Sequence, residues 1–349
     1  VAAAAVAQAL AALAKIAPGQ GRLLLRSLGG AAAATAAMGA HAGSAAVQGA
    51  GSELLSALSK GGKAEAVSAV LDGDGVGTAL RAMKRHPSDV RVQLGTCTLL
   101  RVLCGADESQ KADADGPRAA SHAVWKRIDA AGGIDAVCKH TVGALQNHPQ
   151  SAAVQATGCA LLNLVSATDG DGKNTACELG GVGAAVEALE WGLAADEREV
   201  RQQAIFLIAT LASGNDECKA TCGKAGAPNA LAKAVLTYRA QADMLRLSIG
   251  ALVQLAQVEA GRRHVIGSKA IAAVVVGMRA HASDAAVLDE GCYFIAALAY
   301  GGREGRKAAN EAGMGEVLNQ AIRRFGGKPS HAKTVEMAKT ILARLQQTE

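Results

Sequence analysis

Apolar residues recur with a helical period along most of this 349-residue chain. From Val182 they fall at Val182, Ala185, Val186 and Leu189, and from Val200 at Val200, Ala204, Leu207, Ile208 and Leu211. Spacing of i, i+3, i+4, i+7 gathers apolar side chains on one stripe of an α-helix, so each segment predicts an amphipathic helix with a single buried face. A shorter segment precedes such pairs and ends at a glycine: Ala131-Gly132-Gly133-Ile134, Leu179-Gly180-Gly181-Val182, Ala225-Gly226-Ala227-Pro228, Ala312-Gly313-Met314-Gly315. Glycine there permits the positive φ of a helix C-cap, and Pro228 suits a first helical turn, where a backbone N–H would go unpaired anyway.

The helices repeat. Leu13, Leu58 and Leu103 are 45 residues apart, and Leu164, Leu211, Leu255, Leu298 and Leu342 follow at steps of 47, 44, 43 and 44, with a register between the two halves that is uncertain by one residue. The step of 61 from Leu103 to Leu164 holds one unit plus a polar insertion, residues 105–118, whose Gly, Pro and mixed charge predict an exposed loop. A second phrase runs in parallel: His41, His86, His148 and His281 each have a valine six residues on, and the last three a cysteine eleven residues on, at Cys97, Cys159 and Cys292. A fixed period in the mid-forties means stacked units, each burying its apolar face on its neighbours. The expected organisation is a single elongated array over 1–349, with a partial unit 1–13 and units 14–58, 59–103, 104–164, 165–211, 212–255, 256–298 and 299–345.

Three helices per unit with a glycine turn after the first resemble the armadillo repeat. The phrases Ala225-Gly-Ala-Pro-Asn-Ala-Leu231, Ala160-Leu-Leu-Asn-Leu-Val165 and Ser213-Gly-Asn-Asp-Glu-Cys218 carry the resemblance, which covers nearly the whole chain. HEAT repeats, with two helices per unit, lack the short glycine-ended one. The implied fold is all-α, a right-handed α-solenoid of about seven three-helix repeats. The implied function is non-catalytic: a scaffold or adaptor that binds other proteins along a curved surface, or alternatively a structural subunit embedded in a large assembly. In armadillo proteins an asparagine ladder on the third helices holds the main chain of an extended peptide, because a side-chain amide both donates and accepts. Asn163 matches that position; Arg101, Thr210, Gln254 and Ala297 align with it. Nuclear-import members of the family add tryptophans four residues earlier, where this chain has Cys97, Cys159, Phe206, Gly250 and Tyr293, so binding of basic import cargo is not expected. Phe206 and Tyr293 are candidate anchors for a partner, with an ordinary core role as the competing reading.

Composition narrows the remaining classes. Apolar residues make up 50% of the chain but aromatics only 2%, so stability rests on many small contacts, and base-stacking recognition of RNA is not expected. The net charge of +5 is modest, and +4 of it lies in 301–349, nine Lys or Arg against five Glu, which suits a solvated terminal unit. Eight cysteines include no C-x-x-C; the Cys97, Cys159, Cys292 column and the pair Cys218 and Cys222 read as core, so a reducing intracellular compartment is expected, the cytoplasm first. The chain starts at Val1 and partway into a unit, so a targeting peptide upstream is left open, organellar placement included. Ser27 to Ser52 carries no Lys, Arg, Asp or Glu, yet its Ala/Gly content is too weakly apolar for a membrane span. No cofactor or metal site is expected. The turns Asp72-Gly-Asp74 and Asp169-Gly-Asp171 lack the glutamate that a calcium loop needs at its twelfth position. The histidine column has two readings: a closure of one helix and cap of the next, or a row of imidazoles for protons or metal.

Overall fold

The computed structural model describes residues 2–16, 25, 27–60, 64–105, 124–168 and 170–347, and all regular structure among them is helical. The inserted loop expected at 105–118 lies, beyond Gly105, outside the described residues, as does Asp169. Two compact units are formed, Val1–Gly181 and Val182–Glu349.

In the first unit a short, a medium and a long helix follow one another twice: Ala64–Asp72, Gly75–Arg85 and Val90–Leu103, then residues 124–130, Gly133–Asn147 and Ala152–Thr168. Gly30–Ala40 and Ala45–Ser59 supply a medium and a long helix before them, and Ala2–Ile16 another long one. Like packs on like. The long helices Ala2–Ile16, Ala45–Ser59, Val90–Leu103 and Ala152–Thr168 stack in that order, and the medium helices Gly30–Ala40, Gly75–Arg85 and Gly133–Asn147 do the same. The second unit repeats the arrangement with three ladders. Its long helices are Arg198–Ala212, Ala242–Ala256, Ala285–Tyr300 and Ala332–Leu345; its medium ones Ala227–Thr237, Ala270–Ala280 and Met314–Phe325; its short ones Asp216–Lys224, Glu259–Ile266 and Arg303–Glu311. The helices of these ladders thus bury their stripes on the neighbouring repeat, as the mid-forties period requires.

Helix ends follow from local chemistry. Gly226 adopts φ 84° and lets the chain turn into Ala227–Thr237, with Pro228 in the first turn. At the histidine phrases the His N–H pairs with the carbonyl four residues back, closing the medium helix at His41, His86, His148 and His281. Three residues later Ser44, Asp89, Ser151 and Asp284 accept from N–H groups in the first turn of the long helix. The His phrase is therefore a helix stop followed by a helix start.

Burial fixes the register. Cys97, Cys159, Ile205, Ile249 and Cys292 are all fully buried on successive long helices, and six residues on so are Leu103, Val165, Leu211, Leu255 and Leu298. Leu164, expected in that column, is only half-buried, as is Leu342 beside buried Ile341. The step from Leu103 is therefore to Val165, the same 62 residues that separate His86 from His148 and Cys97 from Cys159. Adjacent residues on a helix point about 100° apart, so a one-residue slip moves a side chain from the core to the surface.

Candidate partner-binding surfaces

The histidines turn out to bridge repeats. The imidazole Nε2 of His86 lies 2.9 Å from the Ala42 carbonyl, that of His148 3.0 Å from Pro87, and that of His281 2.8 Å from Arg239. A carbonyl oxygen only accepts, so Nε2 carries the hydrogen and donates to the equivalent turn of the preceding repeat. A glutamine seven residues after the His, which sequence reasoning passed over, completes the joint. The Gln48 amide donates to Met38 O at 2.8 Å and His41 O at 3.1 Å, Gln93 to Met83 O and His86 O, and Gln155 to Leu145 O and His148 O. The signal was present as a Gln in three of the four phrases; Leu288 replaces it in the fourth.

All eight cysteines are free thiols and buried. Burial pushes the thiols of Cys97, Cys104, Cys138, Cys159, Cys222 and Cys292 up to about 12. Among the described residues no three His, Cys, Asp or Glu side chains are grouped to hold a metal ion. Asp72 and Asp74 instead pair with Arg127 at 3.5 Å and Arg81 at 2.8 Å.

In the 182–349 unit the long helices Arg198–Ala212, Ala242–Ala256 and Ala285–Tyr300 border a cleft of about 770 Å³. Phe206, Thr210, Gln254 and Tyr293, four of the six residues singled out in the sequence, line it. Tyr293 is 43% exposed, whereas its neighbour Phe294 is fully buried, so only one of the two aromatics serves the core. Phe206 is half-buried at the cleft wall. Gln202 and Gln257 bring further side-chain amides to the same opening. Glu290 and Arg246 add charge of both signs; burial raises the Glu290 carboxyl above its ordinary range, Arg246 opposes that shift and Asp289 adds to it.

Arg101 and Asn163 stand elsewhere. They lie half-buried on Val90–Leu103 and Ala152–Thr168, which pack against each other in the 1–181 unit. With the register corrected, their counterparts on the later helices are Ala209, Val253 and Ala296, each one residue before Thr210, Gln254 and Ala297. Phe206 and Tyr293 likewise sit one residue past the buried Ile205 and Cys292. The six residues therefore do not form one column: two belong to one helix position and four to a cleft built from its neighbours.

Neither a protein-family model nor a curated protein matches this chain. Solved structures do. An engineered protein is 20% identical with a TM-score of 0.57, over 78% of this chain and 98% of that one. Computationally designed armadillo repeat proteins for modular peptide recognition are 18% identical with a TM-score of 0.57, over 78% and 98%. A designed armadillo repeat protein in complex with the peptide (KR)4 is 19% identical with a TM-score of 0.50, over 66% and 95%. At such identities the likeness is one of fold. The chain has an armadillo-like repeat fold, an all-α solenoid.

Proposed function

We propose that the protein is a non-catalytic interaction scaffold that holds an extended peptide of a partner in the long-helix cleft of the 182–349 unit. The observation that carries this reading is the cleft itself, where amides at Gln202, Gln254 and Gln257 and a hydroxyl at Thr210 surround two aromatics, Phe206 and Tyr293. Amides pair with peptide N–H and C=O groups regardless of sequence, and an exposed Tyr beside a half-buried Phe offers rigid apolar area for one or two side chains. Designed proteins of the same fold recognise peptides, which supports this use of the surface.

The test is an immobilised array of extended peptides of about 12 residues, enough to span three long helices at roughly 10 Å spacing. The best binder is then titrated into the intact protein and into Tyr293→Ala and Gln254→Ala. Both positions lie outside the core, so folding should survive. Loss of the aromatic anchor should weaken binding by about tenfold or more, and loss of the amide by less. Equal affinities in all three proteins would remove the cleft from the reading. A fixed set of partners at constant stoichiometry from the native source, with no peptide binding, would instead identify a subunit built into an assembly.

A further inference from the structure

We infer that the medium-helix face of the 1–181 unit docks an acidic amphipathic helix of a partner protein, with its carboxylates against Lys84 and Arg85 and an apolar side chain in the cleft beneath them. The cleft, about 400 Å³, opens between Gly30–Ala40 and Gly75–Arg85. Its floor is buried and largely apolar, with Met38 and Ala82, while Arg81, Lys84 and Arg85 stand exposed at the rim, and among the described residues no carboxylate lines it. Arg81 is paired with Asp74 at 2.8 Å. Lys84 and Arg85 enter none of the ion pairs among the described residues. The field of Lys84 is felt on the adjacent medium helix, where burial, then Lys139 and Lys84, hold the His140 imidazole below its ordinary range.

An apolar floor under uncompensated cations selects a ligand that is apolar on one side and anionic at the edge. Gly30–Ala40 extends the apolar area beside the cleft: its exposed residues Ala32, Ala33, Ala36, Gly39 and Ala40 carry no charge, and Leu28 just before it is 72% exposed. Eleven residues give a seat about 16 Å long, three turns of a partner helix, and side chains no larger than methyl let that helix come to the near end of the usual 8–10 Å spacing. The seat is preorganised. His86 donates to Ala42 O, and Gln48 to Met38 O and His41 O, so the turn that bounds the cleft is tied from two sides. A lipid surface fits less well, since among the described residues Leu28 is the one large apolar side chain exposed there, and a phosphate backbone would leave the apolar floor unused.

The probe is an acetylated, fluorescein-labelled peptide of about 18 residues made of Glu, Leu and Ala, with leucines at helical spacing. It is measured by anisotropy against the full chain. Saturable binding that weakens with salt is expected, and Lys84→Glu/Arg85→Glu, both on the surface, should reduce affinity by at least about tenfold. Gly39→Leu is the decisive variant. Nothing lies within 4 Å of a Cβ added at Gly39, and leucine is the better helix former, so this change fills the cleft mouth without unfolding the protein. It should abolish binding while the thermal midpoint holds or rises. The inference is overturned by no saturable binding below about 1 mM, by equal binding of a scrambled peptide with no apolar face, by unchanged affinity in Gly39→Leu, or by tighter binding of phosphatidylserine vesicles or duplex DNA than of the peptide.

Discussion

A single residue here is specified mostly by whether its side chain faces the next repeat. The thiols show it most simply. With burial pushing Cys97 and Cys159 up to about 12, the thiolate fraction at pH 8 is about one ten-thousandth, and the sulfur is also out of reach. Iodoacetamide at pH 8 is therefore expected to leave the folded protein unlabelled by mass spectrometry at these positions and to label both fully in guanidinium. Labelling of the native protein at a rate near that of free cysteine would contradict the packing. The His and Gln of the recurring phrase obey the same logic from the polar side. Their hydrogens go to backbone carbonyls at the turns between helices, which is why His148 and Gln155 can be buried with these polar groups paired.

At the scale of the element, helix boundaries were legible because each is written in adjacent residues. Glycine at a positive φ, proline in the first turn and Ser or Asp three residues after the His all act within a few positions of themselves. Gly226 tests how much one such signal contributes. At φ 84° with open space around a notional Cβ, Gly226→Ala meets no clash and carries only the backbone penalty of the left-handed region, about 1–2 kcal/mol. Denaturant titration should show that loss with the helical content of the native state unchanged; a neutral result would mean that the turn relaxes freely. What the elements did not reveal was their exact facing. The leucine column slipped by one at Leu164 because a run such as Leu161-Leu162-Asn163-Leu164-Val165 offers several apolar candidates, and only packing against the neighbouring helices selected Val165.

For the whole molecule the consequence of repetition is local stability. Among the described residues the main helix–helix contacts are within a repeat or between adjacent ones, so stability is expected to be local rather than shared by the whole chain. The two tryptophans fall one in each compact unit, Trp125 in the first and Trp191 in the second, and give each its own reporter. Single-tryptophan proteins made with Trp191→Phe and Trp125→Phe should unfold in urea with midpoints that differ from each other. Coincident transitions in both, matching circular dichroism, would show a single two-state unit. No helix among the described residues is long and apolar enough to cross a membrane, and the charge-free stretch 27–52 is divided between two helices by the turn at His41.

The sequence alone determined the repeat, its period, the helix ends and the burial of the cysteine column, because helical periodicity and capping are encoded in neighbouring residues and a period exposes itself by recurring. Tertiary structure decided three other things. It chose which of two adjacent residues faces the core, separating Tyr293 from Phe294 and Phe206 from Ile205. It joined His86 to Ala42 and His148 to Pro87, pairs 44 and 61 residues apart. And it gathered Phe206, Thr210, Gln254 and Tyr293 around one cleft while placing Arg101 and Asn163 in another unit. Each depends on how one helix crosses the next, and that crossing is set by the fit of many side chains at once rather than by any residue that can be read singly.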